Sequence, residues 1–537
     1  MPEAEWWRDQ IIYQIYPRSF QDSDADGVGD LQGIIDRLDY LNDSSKRSLR
    51  VGGIWLTPIY PSPLFDFGYD VADYVDVDPA YGTLDDFDRL VQEAEKRGIR
   101  VIMDLVSNHT SHLHPWFQES RSSRDNPKRD WYIWRDARTG EAYPNNWTSV
   151  FFGRAWEWDE QTEQFYCHAF LKEQPDLNWQ NPEVRAAIAE AMRFWMRRGV
   201  GGFRLDAIAH IGKHPGLPDD PFKPGVAVGK EPEWEDQIHV YDLADPVMHP
   251  WLRELRTVAD EFGALLVGEI YSLRPDSLAA FTANNELHSV FNFELLLSTW
   301  HAASFRAAVD SFEHEFPTGV WPSPVIDNHD NHRSFSRWDK PGLGTGRAKV
   351  AAMLLLTLRG TPYLYYGQEI GMHDVEIRSG QLRDPAANGI VAKSRDPERT
   401  PMQWTPGSNA GFSRAQPWLP VAPDSTSVNV ETESADPTSV LTLYRKLTSL
   451  RHEHVALREG SYRSIDCDAG EVYGYLRESP EERILAILNF GETAATVDIS
   501  QTAGGGRVLL ATGGETGGSL DVTAVELPST SGMLILL

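Results

Sequence analysis

The stretch Gly202-Phe203-Arg204-Leu205-Asp206 (GFRLD) runs from a glycine through apolar residues to a terminal acid. Two others end the same way: Leu265 to Glu269 (LLVGE) and Val325 to Asp330 (VIDNHD). Each is a short apolar run of the kind that forms a buried parallel strand. The acids lie 63 and 61 residues apart (206 to 269, 269 to 330), which leaves room for helices and further strands between them. A strand-helix barrel gathers the C-terminal ends of its strands around one cleft. Carboxylates converging there can do acid and nucleophile work on a glycosidic bond. One acid at a strand end is most simply a helix cap. Three, with Arg204 and His329 as polar companions, outweigh that explanation.

Working outward, the first 450 residues alternate strands and amphipathic helices. Strands are expected at Ile11 to Tyr16, Gly53 to Thr57, Arg100 to Leu105, Gly202 to Asp206, Leu265 to Glu269, Ser289 to Phe293, Pro324 to Asn328 and Thr361 to Tyr365. Helices are expected at Leu84 to Arg97, Pro182 to Arg198, Pro250 to Phe262 and Arg347 to Leu358. That is the pattern of an α/β (β/α)8 TIM barrel. The expected division is barrel over 1–106 and 175–455, an inserted loop-rich domain after strand 3 over 107–174, a loop insertion at 371–435, and a C-terminal antiparallel β-sandwich over 456–537. The last rests on EVYGYLR, RILAILNF, RVLLATGG and GMLILL, short strands between Gly and Thr turns.

The chain of 537 residues carries 50 basic against 79 acidic side chains, a net charge of −29. Such a charge argues against nucleic acid and anionic membrane as partners and suits a neutral substrate. Two cysteines, Cys167 and Cys467, make neither a disulfide framework nor a metal cluster and fit a reducing compartment. No signal peptide and no apolar run long enough to span a membrane is visible, so a cytoplasmic location is expected. A monomer or small homo-oligomer is expected. The 18 Trp and 19 Tyr fill cores by default, though such rings also stack on sugars.

Two readings come from the residues directly. Arg204 stands two positions before Asp206, so both point to one side of the strand, and its guanidinium can hold that carboxylate ionised and aimed. DSDADGVGD (Asp22 to Asp30) offers oxygens at alternating positions with Gly27 at the sharp turn, the logic of a hard-cation loop. Asp22, Asp24, Asp26 and Asp30, with the Val28 carbonyl, would hold Ca²⁺ or Mg²⁺. Gly33 stands where a sensor loop has a bidentate Glu, so the ion is expected to be structural.

DLVSNH (Asp104 to His109) closes the third strand. With GFRLDA, VGE and IDNHD it resembles the four-block pattern of the α-amylase family of glycoside hydrolases. WWRDQIIYQIYPRSF, GYDVADY (Gly68 to Tyr74), QPDLNW (Gln174 to Trp179) and ERTPMQW (Glu398 to Trp404) extend the resemblance, in order, to the oligo-1,6-glucosidase and α-glucosidase branch. It implies Asp206 as nucleophile, Glu269 as acid/base and Asp330 as the residue that binds sugar hydroxyls at the transition state. It implies that His109 and His329 donate hydrogen bonds to the first sugar and that Tyr69 stacks under it. Asp66 would pair with Arg399 and close the pocket behind the non-reducing end, making an exo-acting enzyme. Phe170 is counted among the substrate-binding residues. Ala207, after the nucleophile, implies a preference for maltose-type α-1,4 links over isomaltose. Family members also hold a cation at the Asp22 loop.

The resemblance leaves several outcomes open. The leading one is a retaining exo-α-glucosidase acting on a disaccharide or short oligosaccharide, with some transglucosylation. An oligo-1,6-glucosidase, or a glucosyl transferase of the sucrose isomerase or trehalose synthase kind, would use the same covalent intermediate. A non-catalytic binding subunit is the alternative from another class, disfavoured because all three carboxylates are present. The segment from His210 to Gly229, rich in Pro and Gly, and His332 depart from the branch and bear on the leaving-group side.

Overall fold

A computed structural model describes the chain except residues 1–4, 227–231, 272–274, 317–318, 503, 513–519 and 521. Eight parallel strands form the centre: Ile12–Ile15, Gly53–Leu56, Arg100–Val106, Gly202–Asp206, Leu265–Gly268, Ser289–Asn292, Ser323–Pro324 and Tyr363–Tyr365. They are the barrel's first to eighth strands, and each pairs with its neighbour in chain order. The first pairs with the eighth (Ile12 with Tyr363), and a bridge between Val325 and Tyr363 joins the seventh to the eighth, so the barrel closes. The seventh strand is shorter than expected. Pro324 has no N–H to give a ladder, and Asp327 turns to accept from Ser334 Oγ at 2.5 Å.

The helices that cover the barrel follow from local rules. Leu84–Glu95 is opened by a reciprocal cap between Thr83 and Asp86 and buries Phe87, Leu90, Val91 and Ala94, one face of a 3.6-residue period. Pro182–Arg197, His249–Asp260 and Gly344–Thr357 match the remaining expected helices, and Leu31–Leu41 and Ala302–Glu315 add two that the sequence reading did not single out. The segment after the third strand is less irregular than expected. It carries a three-stranded antiparallel sheet of Trp134–Arg135, Gln164–Cys167 and Trp156–Asp159. Strands of two to four residues are too short to show a period.

The C-terminal part has a five-stranded antiparallel sheet, in the order Ser461–Ile465, Val472–Glu478, Arg483–Asn489, Ser531–Leu536, Arg507–Ala511. A two-stranded sheet of Ala495–Val497 and Val525–Leu527 packs with it over a core that includes Leu485, Ile487, Val497 and Val525. The final glycines of RVLLATGG lie outside the described residues. Buried Arg477 ties this part to the barrel by donating to the Thr357 carbonyl at 2.6 Å, and buried Arg451, in the preceding helix Val440–Glu453, holds the same stretch through the Leu356 carbonyl at 2.9 Å. Cys167 and Cys467 are buried and unpaired. No helix of the described residues is long and apolar enough to cross a membrane.

Candidate active site

Strand register sets the central cluster. Asp104 of the third strand lies beside Arg204 of the fourth, and Val106 beside Asp206. Asp104 and Arg204 thus meet inside the barrel, both almost fully buried. Arg204 Nη1 donates to Asp104 Oδ1 at 2.5 Å and to Asp206 Oδ1 at 2.6 Å. Its Nη2 pairs with Glu269 Oε1. One guanidinium therefore joins three carboxylates. Asp104 is satisfied further by Trp55 Nε1 at 3.0 Å and the Tyr69 hydroxyl at 3.1 Å. Asp104 lies in DLVSNH, and the sequence reading gives it no role of its own. An acid inside the apolar run RVIMDLV was the signal, because buried acids are rarely without a task.

Glu269 directly follows the fifth strand, held by its N–H to the Leu205 carbonyl at 3.0 Å. Its Oε2 accepts from Ala207 N at 3.0 Å. Burial pushes the Asp206 and Glu269 carboxyls upward against the pull of Arg204, and the charges of their carboxylate neighbours push the same way. Two such acids titrate as a pair. Asp330 goes the other way. Desolvation would raise it, but His329, Arg399 and Arg395 together hold it well below the usual carboxylate range.

The closed end of the cleft corrects one expectation. Asp66 pairs with Arg395, not Arg399: Arg395 Nη2 reaches Asp66 Oδ1 at 2.6 Å. The same guanidinium binds Asp384 at 2.9 Å and Asp330 at 3.3 Å, so it joins the loops after the second, seventh and eighth strands. Arg399 sits behind, donating to the His329 carbonyl at 2.7 Å and to Asp330 Oδ1 at 2.8 Å. The two arginines stand four apart in KSRDPER, and only the fold decides which faces Asp66. Asp66 itself is placed by a turn in which Gly68 has φ +104°, open to glycine alone without strain. Asp70 stitches that turn by accepting from Phe65 N at 2.8 Å and Asp66 N at 3.0 Å.

The QPDLNW block gains a physical reason. Gln174 Nε2 lies 3.1 Å from Asp66 Oδ2 and 3.1 Å from His109 Nε2, and so couples the two. Asp176, Asn108 and the His210 carbonyl surround the Lys213 ammonium, with Nζ 3.1 Å from Asp176 Oδ2 and 3.0 Å from Asn108 Oδ1. This buried cation pins the inserted segment to the ends of the third and fourth strands. Burial lowers His109 to about 4, so it is neutral at ordinary pH.

A cavity of about 300 Å³ opens over this cluster. Asp66, Tyr69, His109, Phe170, Asp206, Ala207, Glu269 and Asp330 all line it. Arg204, His329 and Arg399 do not. His329 departs from the expectation of a sugar contact: it is fully buried, with Nδ1 2.8 Å from Gln14 Nε2 and Nε2 2.6 Å from the Tyr69 hydroxyl. Tyr69 stacks on that imidazole, with ring centroids 5.4 Å apart. Phe151, His210, Trp234 and Tyr271 line it too, and of these four only His210 lies in a segment expected to bear on the leaving-group side. Ala207 has φ 43°, ψ 37°, a left-handed conformation immediately after Asp206. The end of the segment from His210 to Gly229 lies outside the described residues.

In the Asp22 loop, carboxylate oxygens of Asp22, Asp24 and Asp26 lie within 4.8 Å of one another. Gly27 has φ +95°, and a Cβ there would meet the Gln416 carbonyl at 2.2 Å. Asp30 is not brought into this set. Its oxygens accept from Ser23 N (2.8 Å) and Gly33 N (2.7 Å), which caps the helix Leu31–Leu41.

A family profile described as "Alpha amylase, catalytic domain" matches residues 14–460. The chain is 40% identical to an "Oligo-1,6-glucosidase" of Parageobacillus thermoglucosidasius over 91% of both chains. It is 41% identical to a "Probable alpha-glucosidase" of Rhizobium meliloti over 93% of this chain and 92% of that one. Among solved structures, the α-glucosyl transfer enzyme XgtA superposes with TM-score 0.92 at 40% identity, covering 99% of this chain and 100% of that one. The trehalulose synthase MutB from Pseudomonas mesoacidophila MX-45 does so with TM-score 0.90 at 36% identity, covering both chains fully. With the family blocks placed around one cleft and likeness over nearly the whole length, the chain belongs to the α-amylase family of glycoside hydrolases.

Proposed function

We propose that the protein is a retaining, exo-acting α-glucosidase for disaccharides and short oligosaccharides, with Asp206 as nucleophile and Glu269 as acid/base. The observation that carries this reading is the ion pair of Arg395 with Asp66, which walls off the cavity beside the carboxylates. With that wall in place, the unit seated between it and Asp206 would be a terminal glucosyl. A single guanidinium joining Asp206 and Glu269 supports the short separation, ~5–5.5 Å, of a retaining pair over the ~6.5–9.5 Å that leaves room for a water. Asp206 attacks the anomeric carbon while the shared proton, on Glu269, passes to the leaving oxygen. Glu269 then takes a proton from the water that hydrolyses the glucosyl-enzyme. Asp330, kept ionised by Arg399 and Arg395, accepts hydrogen bonds from the hydroxyls of the distorted sugar. The test is a time course on maltoheptaose with a panel of maltose, isomaltose, sucrose, trehalose and nigerose. Glucose and maltohexaose are expected as the early products from the oligosaccharide. Maltose to maltopentaose appearing first would defeat the exo reading.

Phe151, Phe170 and Trp234 line the cavity and offer aromatic faces for a sugar other than the one being cleaved. That surface favours a second outcome, in which a sugar intercepts the glucosyl-enzyme. Chromatography of products at high maltose separates trisaccharide formation from hydrolysis.

Linkage preference is assigned to Ala207. Val there would add two methyl groups to the cavity wall and favour isomaltose over maltose by about ten- to two-hundredfold relative to the parent. A β-branched residue at φ 43° is also strained. Ala207→Val should therefore lower the melting temperature as well. A kcat/KM ratio unmoved beyond about twofold would shift the assignment to the loop that follows Ala207.

The Asp22 loop fits a structural Ca²⁺ or Mg²⁺: an all-oxygen donor set around a turn that only Gly27 can make. Asp22, Asp24 and Asp26 would hold the ion, and the Val28 carbonyl remains a candidate. Chelation should lower the melting temperature and leave turnover at low temperature nearly unchanged, since these residues do not line the cavity. Immediate, calcium-reversible loss of activity in folded enzyme would contradict a purely structural ion.

A further inference from the structure

Beside the cavity, on the segment that follows the fourth strand, Asp220, His239 and Asp242 bring two carboxylates and an imidazole together. One ligand atom from each lies within 4.8 Å of the others. Asp220 is 1% and Asp242 5% exposed. Asp220 Oδ1 accepts from Val240 N and Tyr241 N, both at 2.9 Å, but its Oδ2 is buried without a hydrogen-bond donor. Asp242 Oδ2 faces His239 Nδ1 at 2.9 Å, and its Oδ1 is likewise buried without a donor. No Lys or Arg of the described residues reaches either orphan oxygen. A buried carboxylate oxygen left without a donor is costly; the two acids can share one proton between them, and a cation can take that proton's place.

The imidazole is oriented for that cation. His239 Nε2 lies 2.8 Å from the Trp234 carbonyl, which fixes the ring and leaves Nδ1 as the ligating nitrogen once its proton is lost. A backbone carbonyl on the far nitrogen is the usual orienting partner of a metal-bound histidine. We propose that Asp220, His239 and Asp242 form a binding site for a divalent transition metal of the zinc class. Two carboxylates with an imidazole suit such an ion better than the all-oxygen preference of Ca²⁺ or Mg²⁺.

The site has a structural consequence. His239 stacks on the Trp234 ring at a centroid distance of 3.4 Å and an interplanar angle of 15°. Trp234 lines the catalytic cavity. Asn146 of the inserted segment holds the same loop, its Oδ1 accepting from Asp220 N at 2.9 Å and its Nδ2 donating to the Asp220 carbonyl at 2.7 Å. A bound metal therefore clamps His239, and through it Trp234, against the inserted segment. The effect on the leaving-group side rests on the glucosidase reading above; metal binding itself does not.

Chelator-treated full-length protein is titrated with Zn²⁺ by calorimetry and with Co²⁺ by visible absorption. One ion per chain is expected, with proton release, since Nδ1 must deprotonate. His239→Gln and Asp242→Asn, each checked for native circular dichroism, should weaken binding at least about 100-fold, more than loss of an orienting partner alone. Asp24→Asn, in the loop after the first strand, should leave it unchanged. Amide exchange of residues 234–243 should slow on Zn²⁺ addition. No Zn²⁺ uptake by the parent protein, wild-type affinity in His239→Gln, or protection confined to other segments would overturn the site. Because these readouts need no substrate, failure of the glucosidase reading and failure of the metal site are separable.

Discussion

Asp206→Asn is expected to lower kcat by at least ~10³-fold while the protein stays folded. The amide keeps the shape of the side chain and its place beside Arg204 Nη1, 2.6 Å away in the parent, but cannot attack the anomeric carbon. A fluorinated glucosyl donor that traps the covalent intermediate should label the parent at Asp206 and leave Asp206→Asn unlabelled by mass spectrometry. Label on another carboxylate would overturn the assignment. Stability should move in the opposite direction from activity. Burial raises Asp206 in the folded state, with Glu269 and Asp104 adding to it against Arg204. A carboxyl raised on folding stabilises the protein below its unfolded pKa, near 4, and that contribution is lost as pH rises toward the folded value. The contribution of Asp206 to the melting temperature of the parent should therefore fall as pH rises from about 4 into the neutral range. Asp206→Asn should flatten that fall, because one proton-binding site of the pair is gone.

The barrel was legible because buried parallel strands are short apolar runs, and the eight runs recur at spacings that only crossover helices fill. The three carboxylates were legible because each ends such a run. What the sequence hid is what register and long loops decide. Asp104 joins the cluster because strand register sets it directly beside Arg204, which no linear spacing reveals. Arg395 rather than Arg399 closes the pocket because the chain between the eighth strand and the C-terminal sheets folds back over the cleft, bringing Asp384 and Arg395 to Asp66. His329 was read as a sugar contact from the resemblance, yet its neighbours Gln14 and Tyr69 occupy both ring nitrogens, and it supports the cavity from behind. The aromatic wall of Phe151 and Trp234 comes from two loops without periodicity, where side-chain direction cannot be inferred.

Glu269→Gln is expected to reveal its role through the leaving group. From maltose, glucose departs as a poor alkoxide unless protonated, so kcat/KM on maltose should fall by ~10²–10⁴-fold, the usual size of general acid catalysis. An aryl glucoside with a good leaving group needs no proton to depart. Its glucosylation step should fall far less, and the slow step should become hydrolysis of the intermediate, where general base help from Glu269 is missing. A small nucleophile such as azide should then accelerate turnover of the aryl substrate, because an anion attacks without a base. The pH profile carries a second signature. Burial raises Glu269, and the Asp330 charge adds to the rise against Arg204. Its acid form therefore persists above the ordinary range and is lost as pH rises, which gives the alkaline limb of kcat/KM on maltose. Glutamine does not titrate, so that limb should vanish in Glu269→Gln. Equal losses on maltose and on the aryl glucoside, with the alkaline limb intact, would mean that the proton comes from another group. Asp104 would then be excluded by its burial behind Arg204, and His210 and Tyr271 would be the cavity-lining groups to test.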